Sequence, residues 1–416
     1  MTLKKKFSLI ISLLYLSLLI GFYFGEDLIG GAYNDYKALY YLSGEFKNDF
    51  LKTILNYDNF GHRQSPIFFI LRSFFFQNEL IERILFLHIF LFIPIFFYNS
   101  LKIKYKNIDK NILKLLASVI LIFPTFRSYS IWPDPHLMGT FFFILSIYFF
   151  LKFKYKINFF KNSLFCSISL SLAAYMSPNF GVFIIYYFYE FFKKFGISKN
   201  LLKIIVINFI LSLPFFIYIF ILNVNFIFNK IGWDIGDNFY SLQNISNKIL
   251  ILLTIFFFYL IPVINFEYIK KNLKIYFNLD VKNIFLITLI LFLFSHFNFI
   301  PVFNLTNSGG GFFYRISIYL FNNDYLFFGI VVISFLFISN IVLSNKKNSL
   351  LFLSLILSNP QVTIWHANFS PTIFLLIFLL FSDPIINTKL NLKKIFLVFS
   401  YYLAYCILNF VKIFYF

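Results

Sequence analysis

The sequence predicts an all-α membrane protein: a polytopic bundle of about 13 spanning helices, with a cytoplasmic N-terminus and a long first external loop that carries an interfacial helix. Three observations point there. The chain is 60% hydrophobic and only 13% charged, with a mean hydropathy of +0.80, whereas soluble domains are about 25% charged. Its 416 residues leave room for roughly a dozen crossings of ~20 residues each, plus loops. The lysines fall in short clusters between apolar runs, as cytoplasmic loops do under the positive-inside rule. An ordinary cytosolic enzyme, a disordered chain and a fibrous repeat are thereby excluded, and with Gly 15 and Pro 12 so are collagen-like and linker sequences.

The elements follow in order. Lys4–Lys6 precede an apolar run at 7–24, read as a first span because it is about 18 residues long and no small-residue cleavage site follows it. Further lysine clusters lie at 102–114, 152–161, 193–203, 270–282, 346–347 and 389–394. Between clusters the apolar sequence comes as paired runs split by a short polar or Pro/Gly turn, a hairpin out and back. The remaining crossings are expected near 82–101, 112–126, 136–152, 163–176, 180–192, 203–222, 249–265, 284–303, 325–344, 349–358, 372–383 and 395–414. The external loops are then 25–64, 127–135, 223–248, 304–324 and 359–371. PIFFILRSFFF at 66–76 cannot be a full crossing, since it would put Lys102–Lys114 outside; it reads as an interfacial or half-inserted helix. No internal repeat is visible, and a single multispan domain over 1–416 is expected.

The net charge of +19 is not a nucleic-acid signal: of 36 basic residues 31 are Lys, and these follow topology. Abundant Lys, Ile, Asn, Phe and Tyr also follow from an AT-rich coding sequence, so the 24% aromatic content does not define a binding surface. Cys166 and Cys406 lie inside apolar runs and read as small buried residues, not a disulfide or a metal pair.

The rare polar types are more informative. Arg63, Arg127 and Arg315 fall in expected external loops, against the positive-inside bias; His62 and His366 join them, and His136 sits at a loop edge. Arg72 and Arg83 flank the half-inserted segment, and His88 and His296 lie within spans. Arginine offers a planar fork suited to phosphate or carboxylate. Beside Trp132 and Trp365 such a set suggests an outward-facing anion site, with headgroup anchoring as the plain alternative. Ten of the 17 carboxylates fall in external loops, six of them in the first. There Gly30 and Gly31 break the chain, and Asp35 precedes an aromatic stretch with Tyr36, Tyr40 and Tyr41. A carboxylate at the lipid boundary is partly desolvated, which raises its basicity and suits a base acting on a hydroxyl. The single G-G-G (309–311) lacks a P-loop context, and no H-E-x-x-H, C-x-x-C or G-x-S-x-G is present.

One spanning helix, a long external loop with an early Asp beside an aromatic, NDYKALYYLSGEF (34–46), and HRQSPIFFIL (62–71) leading into an apolar helix together resemble the GT-C superfamily of multispan glycosyltransferases. The layout is similar to the dolichyl-phosphate-mannose–protein mannosyltransferases and the bacterial lipid A sugar transferases. RSYSIWPDPHLMGTFFF (127–143) and NPQVTIWHANFSP (359–371) are similar to later external loops of such enzymes. The family acid is often the first of an Asp-Glu pair, whereas here Asp35 is followed by Tyr36. The resemblance implies a sugar transferred from a polyprenyl phosphate to a lipid, glycan or protein hydroxyl, without a cofactor and without nucleic acid, at the outer face of the membrane. The lysine pattern and compact chain fit a bacterial inner membrane, with an endoplasmic reticulum enzyme sharing the same features. Inversion would pass through an oxocarbenium-like state, with Asp35 as general base. Arg63, Arg127, Arg315, His62 and His366 would hold the donor phosphate. Tyr36, Trp132, Asp134, His136 and Trp365 would contact the sugar or acceptor. No dedicated metal site is implied, although a divalent ion on Asp35 and another loop acid stays open. A surface-polysaccharide polymerase or ligase and a lipid-linked glycan flippase remain the rival readings.

Overall fold

The computed structural model describes residues 3–60, 64–155, 158–221, 245–271, 309–359, 364–386 and 390–415. Among them the chain is all-helical, with one isolated bridge between Ile264 and Ile386 and no strand. Among the described residues five helices are long and apolar enough to cross a membrane: Glu79–Lys104, Pro135–Tyr155, Lys199–Ile221, Tyr325–Val342 and Leu392–Lys412. A sixth arises if the bent pair Lys110–Ile122 and Pro124–Ile131 is one span. Phe7–Tyr23, Asn247–Val263 and His366–Leu379 are shorter apolar helices. The expected run at 349–358 belongs to a 13-residue helix, Lys346–Ser358. At 1.5 Å per residue it is about 20 Å long, short of a ~30 Å hydrocarbon core. The expected span at 284–303, with His296, lies outside the described residues.

The contacts divide the chain into two compact units, Met1–Trp233 with Asn391–Phe416, and Asp234–Leu390.

The first unit begins with α1 (Leu3–Tyr23), which ends where Gly25 turns the chain at φ +67. A second left-handed glycine, Gly30 at φ +76, precedes α2 (Ala32–Asn48). The Asp27 carboxylate fixes this turn by accepting the N–H groups of Gly30 (3.0 Å) and Tyr33 (3.1 Å). Ala32, Tyr36, Leu39, Ser43 and Phe46 form a buried stripe along α2 at three-to-four-residue spacing. After α3 (Phe50–Leu55), that stripe meets α4 (Ile67–Ser73). Seven residues long, α4 is far too short to cross a membrane.

Next come α5 (Glu79–Phe90) and α6 (Phe92–Lys104), one apolar length interrupted at Leu91. Pro94 accounts for the break: it lacks an N–H, and its ring crowds the Phe90 carbonyl. A second proline shapes α7 (Lys110–Ser118) and α8 (Pro124–Ile131). Phe123 is extended (ψ 127) ahead of Pro124 at the first turn of α8, and the two apolar lengths meet at 66°. Residues 127–131 are consequently buried helix, where the sequence suggested an external loop.

The centre of the unit is α9 (Pro135–Tyr155) packed along α10 (Phe159–Met176), with α6 on its other side. Their core is largely aromatic: Phe143 packs on Phe180 and Phe183, and Phe150 on Tyr186 and Tyr187 of α11 (Ile184–Phe195). Pro214 lies near the end of α12 (Lys199–Phe216), where the helix widens into a π turn at Ile217–Ile221.

In the second unit α13 (Ile245–Leu260) is followed by α14 (Phe266–Lys271), α15 (Gly311–Phe321), α16 (Tyr325–Leu343), α17 (Lys346–Ser358) and α18 (Thr372–Leu379). α13 packs against α15, α16, α17 and α18, and Phe256 sits between Phe352 and Phe381. Buried Asn348 ties this unit's turns together: its amide donates to Ile341 O and Ser382 O and accepts from Ser382 N. The last helix, α19 (Leu392–Tyr415), returns to the first unit and packs on α7, with Tyr402 against Phe123.

Candidate functional site

In the first unit the start of α2 and the junction of α8 with α9 come together. Trp132, which ends α8, is the centre. Its ring packs edge-on against Tyr33 (4.7 Å between centroids) and tilted against Tyr36 (5.5 Å). The Arg83 guanidinium lies 3.7 Å above it. On the far side of Tyr36 the Arg72 guanidinium stacks at 4.6 Å. The order Arg72–Tyr36–Trp132–Arg83 therefore places two neighbouring aromatic rings between two cations, each cation held by cation–π attraction. Gly25 makes room for it: a Cβ there would stand 3.2 Å from the Trp132 ring.

Both arginines are anchored through one nitrogen and keep others unused. Arg72 is fully buried, and its Nε donates to Glu82. Tyr36 donates to the other oxygen of Glu82 at 3.2 Å. Both terminal nitrogens of Arg72 are buried without an acceptor. Arg83 Nε donates to Ile131 O at 2.9 Å, Nη1 lies 3.8 Å from Glu79, and Nη2 is buried without an acceptor. Trp132 Nε1 and His136 Nε2 are in the same state. A buried donor without an acceptor costs about 1–3 kcal/mol. Such a group of them is what a bound anion would complete.

Two carboxylates accompany these donors. Asp35, in the first turn of α2, lies off the buried stripe and keeps an accessible carboxylate. The protein mass behind it, and secondarily the Asp27 charge, push its pKa up to about 6. Asp134 immediately precedes α9 and accepts the His136 N–H at 2.7 Å. Burial, and then the Asp35 charge, raise its pKa to about 7. Buried Tyr129 lies within electrostatic reach of Asp27, Asp35 and Asp134, so the three aspartates form one cluster. His136 stacks on Phe180 and places Nδ1 3.4 Å from Ser177 Oγ. Among the described residues no group of three His, Cys, Asp or Glu side chains is arranged to hold a metal ion.

Of the residues singled out in the sequence, Asp35, Tyr36, Trp132, Asp134 and His136 meet here. Arg127 is committed elsewhere: its Nε and Nη2 grip both Glu26 oxygens (2.5 and 2.7 Å), and its Nη atoms also donate to Ser17 of α1. His62 and Arg63 lie outside the described residues. Arg315, His366 and Trp365 belong to the second unit. There Arg315 Nε donates to Gly309 O at 3.4 Å, His366 Nε2 lies 3.0 Å from the Tyr259 hydroxyl, and Trp365 is partly exposed. Gly309, Gly310 and Gly311 all have positive φ, and a Cβ on Gly311 would meet Ile255 at 2.9 Å.

The sequence reading set Arg72, Arg83, Glu82 and Asp27 aside. A usable signal existed: two of only five arginines stand in apolar text, where an unpaired cation is costly and must be partnered.

Fold and site define an all-helical protein with several membrane-length apolar helices and, at the end of one of them, a carboxylate cluster beside buried cationic donors. No protein-family model matches the chain, and neither a curated protein nor a solved structure is significantly similar to it.

Proposed function

We propose that this chain is an integral-membrane glycosyltransferase of GT-C type, moving a sugar from a polyprenyl-phosphate donor to an acceptor hydroxyl with inversion. It crosses the membrane about 13 times with its N-terminus in the cytoplasm. The site faces the periplasm of a bacterial inner membrane. The observation that carries this reading is the pairing of two carboxylates of raised pKa, Asp35 and Asp134, with the unpartnered donors of Arg72, Arg83 and Trp132.

Each part has work to do in such a transfer. Asp35 is accessible, and with a pKa of about 6 it is mostly ionised at neutral pH yet more basic than an ordinary carboxylate. It takes the proton of the acceptor hydroxyl as that oxygen bonds to the anomeric carbon. The bond from that carbon to the lipid phosphate breaks, and the electron pair leaves with the phosphate. Arg72 and Arg83 stabilise that departing charge through donors already positioned for it. Tyr36 and Trp132, buried between the two guanidinium groups, hold Arg72 and Arg83 in place rather than meeting the sugar, and Asp134 and His136 accept from or donate to its hydroxyls. His62 and Arg63, outside the described residues, remain candidates for the donor phosphate.

A lipid-linked glycan flippase is the second reading. The fully buried Arg72–Glu82 pair favours it, because intramembrane ion pairs often mark a transport path.

Transfer of radiolabelled sugar from a panel of polyprenyl-phosphate sugars, in membranes carrying wild type or Asp35→Asn at equal abundance, separates the two. Transfer by wild type that is lost in the variant supports the enzyme. Absence of transfer from every donor, together with movement of a lipid-linked glycan across proteoliposomes, overturns it.

A further inference from the structure

The opposite end of α9 carries a different feature. Asp134 and His136 mark one end of this 21-residue helix, and its lysine-bearing end lies about 30 Å away. A cleft of about 390 Å³ opens there between the end of α6, the α6–α7 turn, the start of α7 and the end of α9. That volume is within the usual range of ligand sites.

Lys102, Lys106 and Lys110 line the cleft, and no carboxylate does. All three are exposed, and among the described residues none is paired with an acid. Asp109 is the nearest acid in sequence, but its carboxylate is turned to the N-terminus of α7, accepting from Asn111 N (2.6 Å) and Ile112 N (3.4 Å). Lys102 is further steered by the Tyr98 ring at 4.7 Å. The rest of the lining is apolar or amphipathic: buried Ile103 and Leu113 on the inside, Tyr148 and Tyr155 along α9. Three like charges around one concavity repel one another until an anion enters.

We infer that this cleft binds the phosphate headgroup of an anionic membrane lipid, with the lysines on the phosphate and the apolar lining against the glycerol and upper acyl chain. A lipid fits better than a soluble phosphate because the cations and the apolar wall share one cleft at the end of two membrane-length helices. The site is separate from the carboxylate cluster and does not depend on the reaction proposed for it.

The full chain, purified in a neutral detergent, is tested by native mass spectrometry with phosphatidylglycerol, phosphatidylcholine and glycerol phosphate at equal concentration. The expected result is selective retention of phosphatidylglycerol. It falls about tenfold or more in Lys102→Gln/Lys106→Gln/Lys110→Gln, since each lysine near an anionic lipid contributes about 1 kcal/mol. It survives in the matching Lys→Arg variant and in Lys193→Gln/Lys194→Gln, which removes two exposed lysines at the end of α11. Equal retention of phosphatidylcholine, or the same loss in the Lys193/Lys194 variant, reduces the effect to general lipid coating and overturns the site. Binding of glycerol phosphate as strong as that of the lipid overturns the lipid assignment in favour of a soluble anion.

Discussion

The chemistry of the candidate site rests on individual side chains whose neighbours alter what they do. Asp35 has a folded-state pKa raised above its ordinary value. Its contribution to stability is therefore complete below the unfolded pKa of 3.8 and is lost as pH rises through about 6. Asp35→Asn is expected to abolish sugar transfer while leaving the thermal midpoint at neutral pH unchanged or higher. A lower midpoint would recast Asp35 as a structural acid. Wild-type transfer should rise with pH on a limb centred near 6, measured as kcat/KM against pH.

Arg72 poses the opposite case. Removing one partner of a buried ion pair costs about 3–5 kcal/mol, whereas replacing both by apolar residues of similar size is often neutral. Arg72→Gln should therefore be strongly destabilising. Arg72→Met/Glu82→Met should recover most of the stability but not the transfer. Recovery of both, in melting and transfer assays on the same preparations, would reduce the pair to packing.

At the scale of elements, the site depends on two joints. One is the turn after α1, where Gly25 has φ +67 and a Cβ would crowd the Trp132 ring at 3.2 Å. Gly25→Ala should cost about 1–2 kcal/mol from backbone conformation alone and lower transfer further by displacing Trp132. A melting curve and a transfer assay on one preparation separate the two effects. The other joint is the bidentate Arg127–Glu26 bridge with its bonds to Ser17, which ties the end of α1 to α8. Both side chains are nearly buried, 7% and 11% exposed. Glu26→Gln should destabilise the first unit and loosen the 25–31 turn, read as faster hydrogen exchange at Leu28 and Ile29, whose N–H groups are otherwise held by Ser128 Oγ.

At the scale of the whole molecule, the placement of Asn34 and Lys154 tests topology. Both are exposed; Asn34 lies beside the carboxylate cluster, and Lys154 stands at the far end of α9. In a background lacking Cys166 and Cys406, Asn34→Cys and Lys154→Cys should react with a membrane-impermeant thiol reagent from opposite faces. Reaction from the same face would remove α9 as a crossing and the proposed orientation with it.

Composition and lysine spacing were enough to determine an all-helical chain with membrane-length apolar segments, because a continuous apolar run of about 20 residues in lipid can satisfy its backbone within its own segment only as a helix. The expected runs at 82–101, 136–152, 203–222, 325–344 and 395–414 each coincide with such a helix. The isolation of Asp35, Trp132, Asp134 and His136 as unusual polar residues was also legible. Which of them meet was not, because it depends on bends and partners that hydropathy does not record. The 66° angle at Pro124 brings Trp132 and Asp134 to the start of α2. Glu26 occupies Arg127, while the stack on Tyr36 and Trp132 leaves the outer nitrogens of Arg72 and Arg83 unused. An arginine's availability is set by the acceptors folded around it, and those lie from 4 to 110 residues away along the chain. Only the tertiary structure could decide it.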